Sequence, residues 1–126
     1  MPVSELPPQV RRFILTSIPS VPYLEAVLLL RHDPAHTWDA VQLARRLYVP
    51  ERTGTELVAL LDESGIAAPA GEGGGVRYAP APELAQVLDG VAQAYAADLV
   101  TVTELIHSRI DRRAQRFADA FRFRKE

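Results

Sequence analysis

The amino-acid sequence predicts a mainly α-helical protein that carries one small β-hairpin. Over most of the chain, apolar side chains recur every three or four residues, which is the spacing of one buried helix face. Residues 66–79 differ, because two short apolar runs flank the glycine-rich segment GEGGG. This pattern predicts two strands joined by a turn. From Pro82 the helical spacing returns, so a long C-terminal helix is expected after the hairpin.

The length and composition favour one globular domain. The chain has 126 residues, of which 48% are hydrophobic, enough to close one core but short for two. The longest apolar run, at residues 26–30, is too short to cross a bilayer. Cysteine is absent, and the N-terminus lacks the basic and apolar regions of an export signal. We therefore expect a cytoplasmic protein that has no membrane partner.

Four helices are predicted before the hairpin. Prolines bracket the first, within QVRRFILTSI, and the second runs from about residue 22 to 32. Thr37 is placed to cap the third helix, and the turn YVP leads to a fourth helix from about residue 50 to 64, with Gly65 as its left-handed C-cap. The predicted boundaries are a single domain at 1–109, divided into N-terminal helices (1–34), two helices with the hairpin (37–80) and the long helix (82–109), followed by a tail (110–126).

The long C-terminal helix is predicted to mediate self-association. Its apolar positions advance by three or four residues for about seven turns, as in a straight amphipathic helix. The resulting apolar face is broader than a small neighbouring domain is expected to cover, and such faces usually mark contacts between proteins. We therefore expect a homodimer that is formed through Leu88, Val91, Tyr95, Leu99, Val102 and Ile106.

Residues 38–79 follow the order helix, three-residue turn, helix and glycine-tipped hairpin. The positions that carry the pattern are Leu43, Ala44, Leu47, Val49, Thr53, Thr55, Val58, Leu61, Gly65 and Ile66. On these residues, about a third of the chain resembles the winged helix-turn-helix domain of bacterial transcriptional regulators of the MarR, TrmB and PadR type. The resemblance implies a recognition helix whose N-terminal half enters the major groove of double-stranded DNA, and a hairpin wing that reaches the adjacent backbone.

The resemblance also implies which side chains meet DNA. By position, the recognition helix would present Glu51, Arg52, Thr53, Thr55 and Glu56, and the wing would present Gly73, Gly74, Gly75 and Arg77. The predicted DNA-binding residues are Arg45, Arg46, Arg52, Thr53, Thr55 and Arg77. Three positions depart from the family pattern. Pro50 replaces the usual Ser or Thr cap, Gly54 replaces an apolar residue at a helix-propensity cost of about 1 kcal/mol relative to Ala, and Glu56 occupies a position that is often basic.

The charge distribution leaves a second hypothesis open. Residues 35–80 contain four arginines and six acidic residues, whereas DNA affinity depends largely on cations that displace counterions. A dimer would double the four arginines, which supports a modest affinity. The alternative is a winged-helix protein-interaction module without DNA binding, in which Glu51 and Glu56 face a basic partner.

The tail at residues 110–126 is basic and aromatic. Its apolar residues have helical spacing and its arginines lie between them. It is expected to dock on a protein partner through Phe117, Phe121 and the arginines, to bind a nucleic-acid backbone, or to pack on the domain itself. An anionic membrane surface also fits the pattern but is disfavoured because the segment is short. No catalytic motif, cofactor motif or metal-ligand spacing is found, so neither an enzyme nor a cofactor is expected. Trp38, Tyr48 and Tyr95 are interpreted as packing residues.

Overall fold

The computed structural model describes residues 6–108 of the chain. These residues form a mainly helical structure with one small antiparallel sheet, as the sequence predicts. Internal contacts divide the described residues into two units, residues 22–88 and residues 6–21 together with 89–108. The elements are α1 (Pro8–Ser17), α2 (Val21–His32), α3 (Ala40–Leu47), α4 (Glu51–Glu63), β1 (Ala67–Pro69), β2 (Val76–Tyr78) and α5 (Pro82–Ala97), followed by helical residues 99–108, named α6.

In the unit of residues 22–88, α3 begins at Asp39. The Asp39 Oδ1 atom accepts a hydrogen bond from the Gln42 backbone N–H at 2.8 Å, which satisfies one of the donors left free at a helix start. The prediction that Thr37 caps this helix is therefore wrong. The Thr37 hydroxyl oxygen instead accepts a hydrogen bond from the Arg77 guanidinium at 3.3 Å.

The pair α3 and α4 is joined by a tight turn and crosses closely. α3 ends at Tyr48, whose backbone is left-handed and whose N–H bonds the Ala44 carbonyl. Gly54 of α4 is buried against α3, where a Cβ atom would overlap the Ala40 carbonyl oxygen and lie 3.2 Å from the Ala44 Cβ. Small residues on both helices therefore allow the approach. Val49, one of the positions that carry the winged-helix pattern, is half-buried.

The core of this unit combines three helices and the hairpin. Tyr23 of α2 is buried, and its hydroxyl donates a 3.0 Å hydrogen bond to the Ser64 hydroxyl oxygen at the end of α4. Burial raises the pKa of the Tyr23 phenol, an effect that the Ser64 hydrogen bond partly opposes. Gly65 has the left-handed backbone predicted for the C-cap of α4. The largest fully buried aliphatic side chains of this unit are Leu24, Val27, Leu30, Leu43, Leu61, Ile66 and Leu88.

The hairpin pairs β1 with β2 in antiparallel register, with Ala67 opposite Tyr78. Trp38, interpreted from the sequence as a packing residue, is half-buried. Its backbone exchanges two 2.8 Å hydrogen bonds with Val76 and so extends the sheet. Gly75 permits this pairing, since a Cβ there would lie 2.6 Å from the Thr37 methyl carbon. The hairpin is therefore held against the segment that leads into α3.

In the other unit, α1 approaches α5 closely, because a Cβ at Gly90 would lie 2.7 Å from a Val10 methyl carbon. Val10, Ile14 and Ile18 are buried there. In the described part of the chain, no single helix is long and apolar enough to cross a membrane.

The predicted continuous helix from residue 82 to 109 is wrong, because it breaks at Asp98. α5 ends at Ala97, and the Asp98 carboxylate caps α6. Its Oδ2 atom accepts the Thr101 hydroxyl at 2.6 Å and its Oδ1 atom accepts the Thr101 N–H at 3.1 Å. Both hydrogen bonds lower the pKa of the Asp98 carboxyl, and the bond from the Thr101 hydroxyl has the larger effect. An aspartate that caps a helix start thus interrupts a run whose apolar spacing is continuous.

Candidate functional site

The outward face of α4 contains most of the side chains predicted to enter a DNA groove. Glu51, Arg52, Thr55 and Glu56 are exposed, whereas Thr53 is half-buried beside the helix crossing. The Thr55 hydroxyl donates to the Glu51 carbonyl at 3.2 Å, so its oxygen lone pairs are what it offers to a ligand. The first two turns of α4 therefore present a surface of acidic, basic and hydroxyl side chains, to which the half-buried Thr53 contributes least.

Three exposed arginines surround the turn between α3 and α4. Arg45 and Arg46 lie in the last turn of α3, and Arg52 lies in the first turn of α4. Within residues 6–108, none of these guanidinium groups has a hydrogen bond or an ion pair. Free guanidinium groups bind phosphate and carboxylate oxygens well, because their N–H donors match the geometry of these anions. We name residues 45–56 the α3–α4 turn surface.

Arg77 lies on β2 and is held more firmly than the other arginines. Its backbone pairs with Ala68 across the hairpin, and its guanidinium donates to the Thr37 hydroxyl oxygen. The residue is nevertheless exposed. A guanidinium has five N–H donors, so the single hydrogen bond to Thr37 orients Arg77 and leaves further donors for a ligand.

Tyr48 is exposed, although the sequence predicts a packing residue. Its side chain is 93% exposed, and its backbone has φ 58° and ψ 44°. A left-handed backbone costs about 1–2 kcal/mol for a residue that has a Cβ. The turn YVP contains no glycine, so the left-handed residue that the structure shows there carries a side chain.

Acidic side chains oppose the arginines along α4. Glu51, Glu56, Asp62 and Glu63 are all exposed, and Arg52 is the helix's only basic residue. The four acidic residues do not all act on the region near the turn, because Asp62 lies about 16 Å from Glu51 along the helix axis at 1.5 Å per residue. That separation is twice the Debye length of about 8 Å at physiological salt. Near the turn, three arginines therefore face two glutamates.

Most of the predicted dimer surface lies inside the single chain. Leu88, Val91, Val102 and Ile106 are fully buried, and Tyr95 is half-buried. Leu99 is 51% exposed beside Val100, which is 62% exposed. Four of the six residues predicted to form the dimer contact are therefore packed within the chain itself. Self-association itself stays a prediction, and the pair Leu99 and Val100 is the part of α6 that remains open to it.

His36 is an exposed residue in the segment before α3. His36 Nε2 lies 3.0 Å from the Gln42 Oε1 atom, and its ring contacts Trp38 edge-on at a centroid distance of 4.4 Å. In the described range 6–108, no group of three His, Cys, Asp or Glu side chains is placed to hold a metal ion. The tail, with Phe117 and Phe121, lies outside the described residues.

Comparisons with models of protein families, with curated proteins and with solved structures found no match. What defines this chain is therefore its own geometry. That geometry consists of two closely crossed helices, a hairpin that follows them, and exposed arginines around the turn between the helices.

Proposed function

We propose that the chain is a small winged-helix protein that binds double-stranded DNA through the α3–α4 turn surface, and that it regulates transcription. The observation that carries this proposal is the set of three exposed arginines around the turn, Arg45, Arg46 and Arg52, which have no partner among residues 6–108. The order of α3, turn, α4 and hairpin supports it, because this order presents a helix to the major groove and a hairpin to the neighbouring backbone.

The side chains divide into two kinds of contact in this proposal. Arg45, Arg46 and Arg77 bind phosphate oxygens, which position the protein and carry no sequence information. Arg52 begins the recognition helix and is suited to a bidentate contact with guanine O6 and N7. Glu56, one turn further along α4, accepts a hydrogen bond from a cytosine amino group, a pairing that glutamate makes in the major groove.

Charge sets the affinity that we expect. The arginines of one copy are four, counting Arg77, and a homodimer would present eight. Glu51 and Glu56 oppose them, and two unit charges 4 Å apart in water interact by about 1 kcal/mol. The glutamates therefore weaken the binding without reversing it. We propose a homodimer with modest affinity for nonspecific duplex and a steep salt dependence.

Charge reversal at Arg52 tests this function. Arg52→Glu should abolish binding to a random duplex of about 25 base pairs at low salt, measured by fluorescence anisotropy. Arg12→Glu is the matched control, because Arg12 is an exposed arginine of α1, outside the proposed surface. It changes the net charge by the same amount and should leave most of the affinity. Equal losses in the two variants would show that only the net charge matters.

A specific observation favours a second function. The acidic side chains of α4 outnumber Arg52, as expected of a helix that binds a basic protein segment. The paired substitution Glu51→Gln and Glu56→Gln separates the two functions. It should strengthen duplex binding if DNA is the ligand. No duplex binding by either form at low salt, together with weaker binding of an arginine-rich peptide by the variant, would favour the interaction module.

A further inference from the structure

Tyr48 combines exposure with an unfavourable backbone conformation. Its side chain is 93% exposed, and it is the only residue other than glycine with positive φ in the described part of the chain. Strained, exposed residues are concentrated at binding sites, where a ligand gives the side chain a use that the fold does not. The exposed ring of Tyr48 is therefore a candidate contact for a ligand.

The fold requires the backbone of residue 48 but not its ring. The Tyr48 N–H caps α3 by bonding the Ala44 carbonyl, and a left-handed residue is needed to turn the chain towards α4. Glycine would supply that conformation without a steric penalty. The tyrosine ring buries almost none of its surface. Neither capping nor core packing therefore accounts for the side chain.

The neighbours of Tyr48 indicate an anionic ligand. Arg45 and Arg46 precede it in the last turn of α3, and Arg52 follows in the first turn of α4. These three guanidinium groups have no partner among residues 6–108. A hydroxyl donor on an apolar ring, placed in the chain between such cations, suits the sugar–phosphate backbone. Tyrosine is one of the side chains that hydrogen-bond phosphate oxygens in protein–DNA complexes.

We propose that Tyr48 contacts the DNA backbone, with its hydroxyl donating to a phosphate oxygen and its ring packing on the adjacent deoxyribose. This inference rests on the proposed DNA-binding function and adds a contact that carries no charge. An uncharged contact releases no counterions. Its share of the affinity should therefore be independent of salt, unlike the share of an arginine.

The experiment compares three variants on one duplex at several salt concentrations. Tyr48→Gly should bind about tenfold more weakly than the wild type, because it loses both the hydrogen bond to the charged phosphate and the packing of the ring on the sugar. The slope of log affinity against log salt should stay the same. Arg45→Ala should reduce that slope by about one. Tyr48→Phe keeps the ring and should lose a smaller, several-fold part of the affinity.

Thermal unfolding separates a binding role from a structural one. Tyr48→Gly should melt at the same temperature as the wild type or higher, because glycine relieves the left-handed backbone. If it melts lower, Tyr48→Phe decides, since it changes only the hydroxyl. Wild-type affinity in both variants would overturn this inference and leave the proposed function intact. Absence of duplex binding by the wild type would overturn both.

Discussion

The effect of Gly54 on stability differs between an isolated helix and the folded protein. In an isolated helix, Ala in place of Gly is favourable by about 1 kcal/mol, so the sequence suggests that α4 carries a defect. In the folded protein, a Cβ at this position would overlap the Ala40 carbonyl oxygen. The overlapping atom belongs to the backbone of α3, so it cannot move aside without separating the helices.

We therefore expect Gly54→Ala to destabilise the protein by about 2 kcal/mol, the range for overpacking a close contact. Urea denaturation followed by circular dichroism measures the free energy of unfolding. Gly73→Ala is the control, because a Cβ there meets nothing within 4 Å, and it should change stability by less than about 0.5 kcal/mol. A more stable Gly54→Ala protein would contradict the close crossing.

The sequence predicts the exposure of the arginines in the candidate site but not that of Tyr48. Arg45, Arg46 and Arg52 lie opposite the apolar faces of their helices, so helical spacing alone predicts that they are exposed. Tyr48 lies in a turn, where no repeating pattern relates a residue to the core. Its exposure depends on a backbone conformation that spacing does not specify.

Turn and cap residues explain which elements the sequence predicts well. The second and fourth helices lie within a residue or two of the predicted bounds, because proline and glycine mark their ends. The break at Asp98 has no such mark. The Asp98 N–H bonds the Ala94 carbonyl, and the Asp98 carbonyl accepts the Val102 N–H. Apolar spacing therefore continues across the junction, and the spacing alone predicts one long helix.

The Asp98 cap makes the stability of the protein depend on pH in the acidic range. The two hydrogen bonds from Thr101 lower the folded-state pKa of Asp98, so protons bind it more readily in the unfolded chain. The stabilisation from this group is present above the unfolded pKa of about 4. It is lost as pH falls through the lower, folded-state value.

Comparison with Asp98→Asn isolates this contribution. Asparagine can still cap a helix but has no carboxyl group to titrate. The stability advantage of the wild type over this variant should be constant from pH 7 to about 5 and should shrink as the pH falls further. Thermal unfolding at a series of pH values measures it. A stability advantage of the wild type over Asp98→Asn that grows as the pH falls would contradict the role assigned to the Asp98 carboxylate.

At the scale of the whole molecule, burial limits how two copies can associate. Val91, Val102 and Ile106 are already fully buried in one chain, so the long apolar face that predicts a dimer is largely used within the protomer. Apolar spacing identifies a face that needs cover but does not say whether the same chain supplies it. Leu99 and Val100 remain exposed.

We expect light scattering at micromolar concentration to give twice the 13.9 kDa mass of one chain. Leu99→Glu combined with Val100→Glu should give the monomer mass, because it places charge on the two apolar side chains of α6 that are more than half exposed. Leu60→Glu is the control, since Leu60 is a similarly exposed leucine of α4. A monomeric wild type would refute self-association under these conditions.

The salt dependence of duplex binding tests the central claim most directly. If Arg45, Arg46 and Arg77 neutralise phosphates, the logarithm of the affinity should fall linearly with the logarithm of the salt concentration. The slope should be about −3 for one copy and about −5 for a dimer. Duplex binding that is undetectable at low salt, or a slope near zero, would contradict the account.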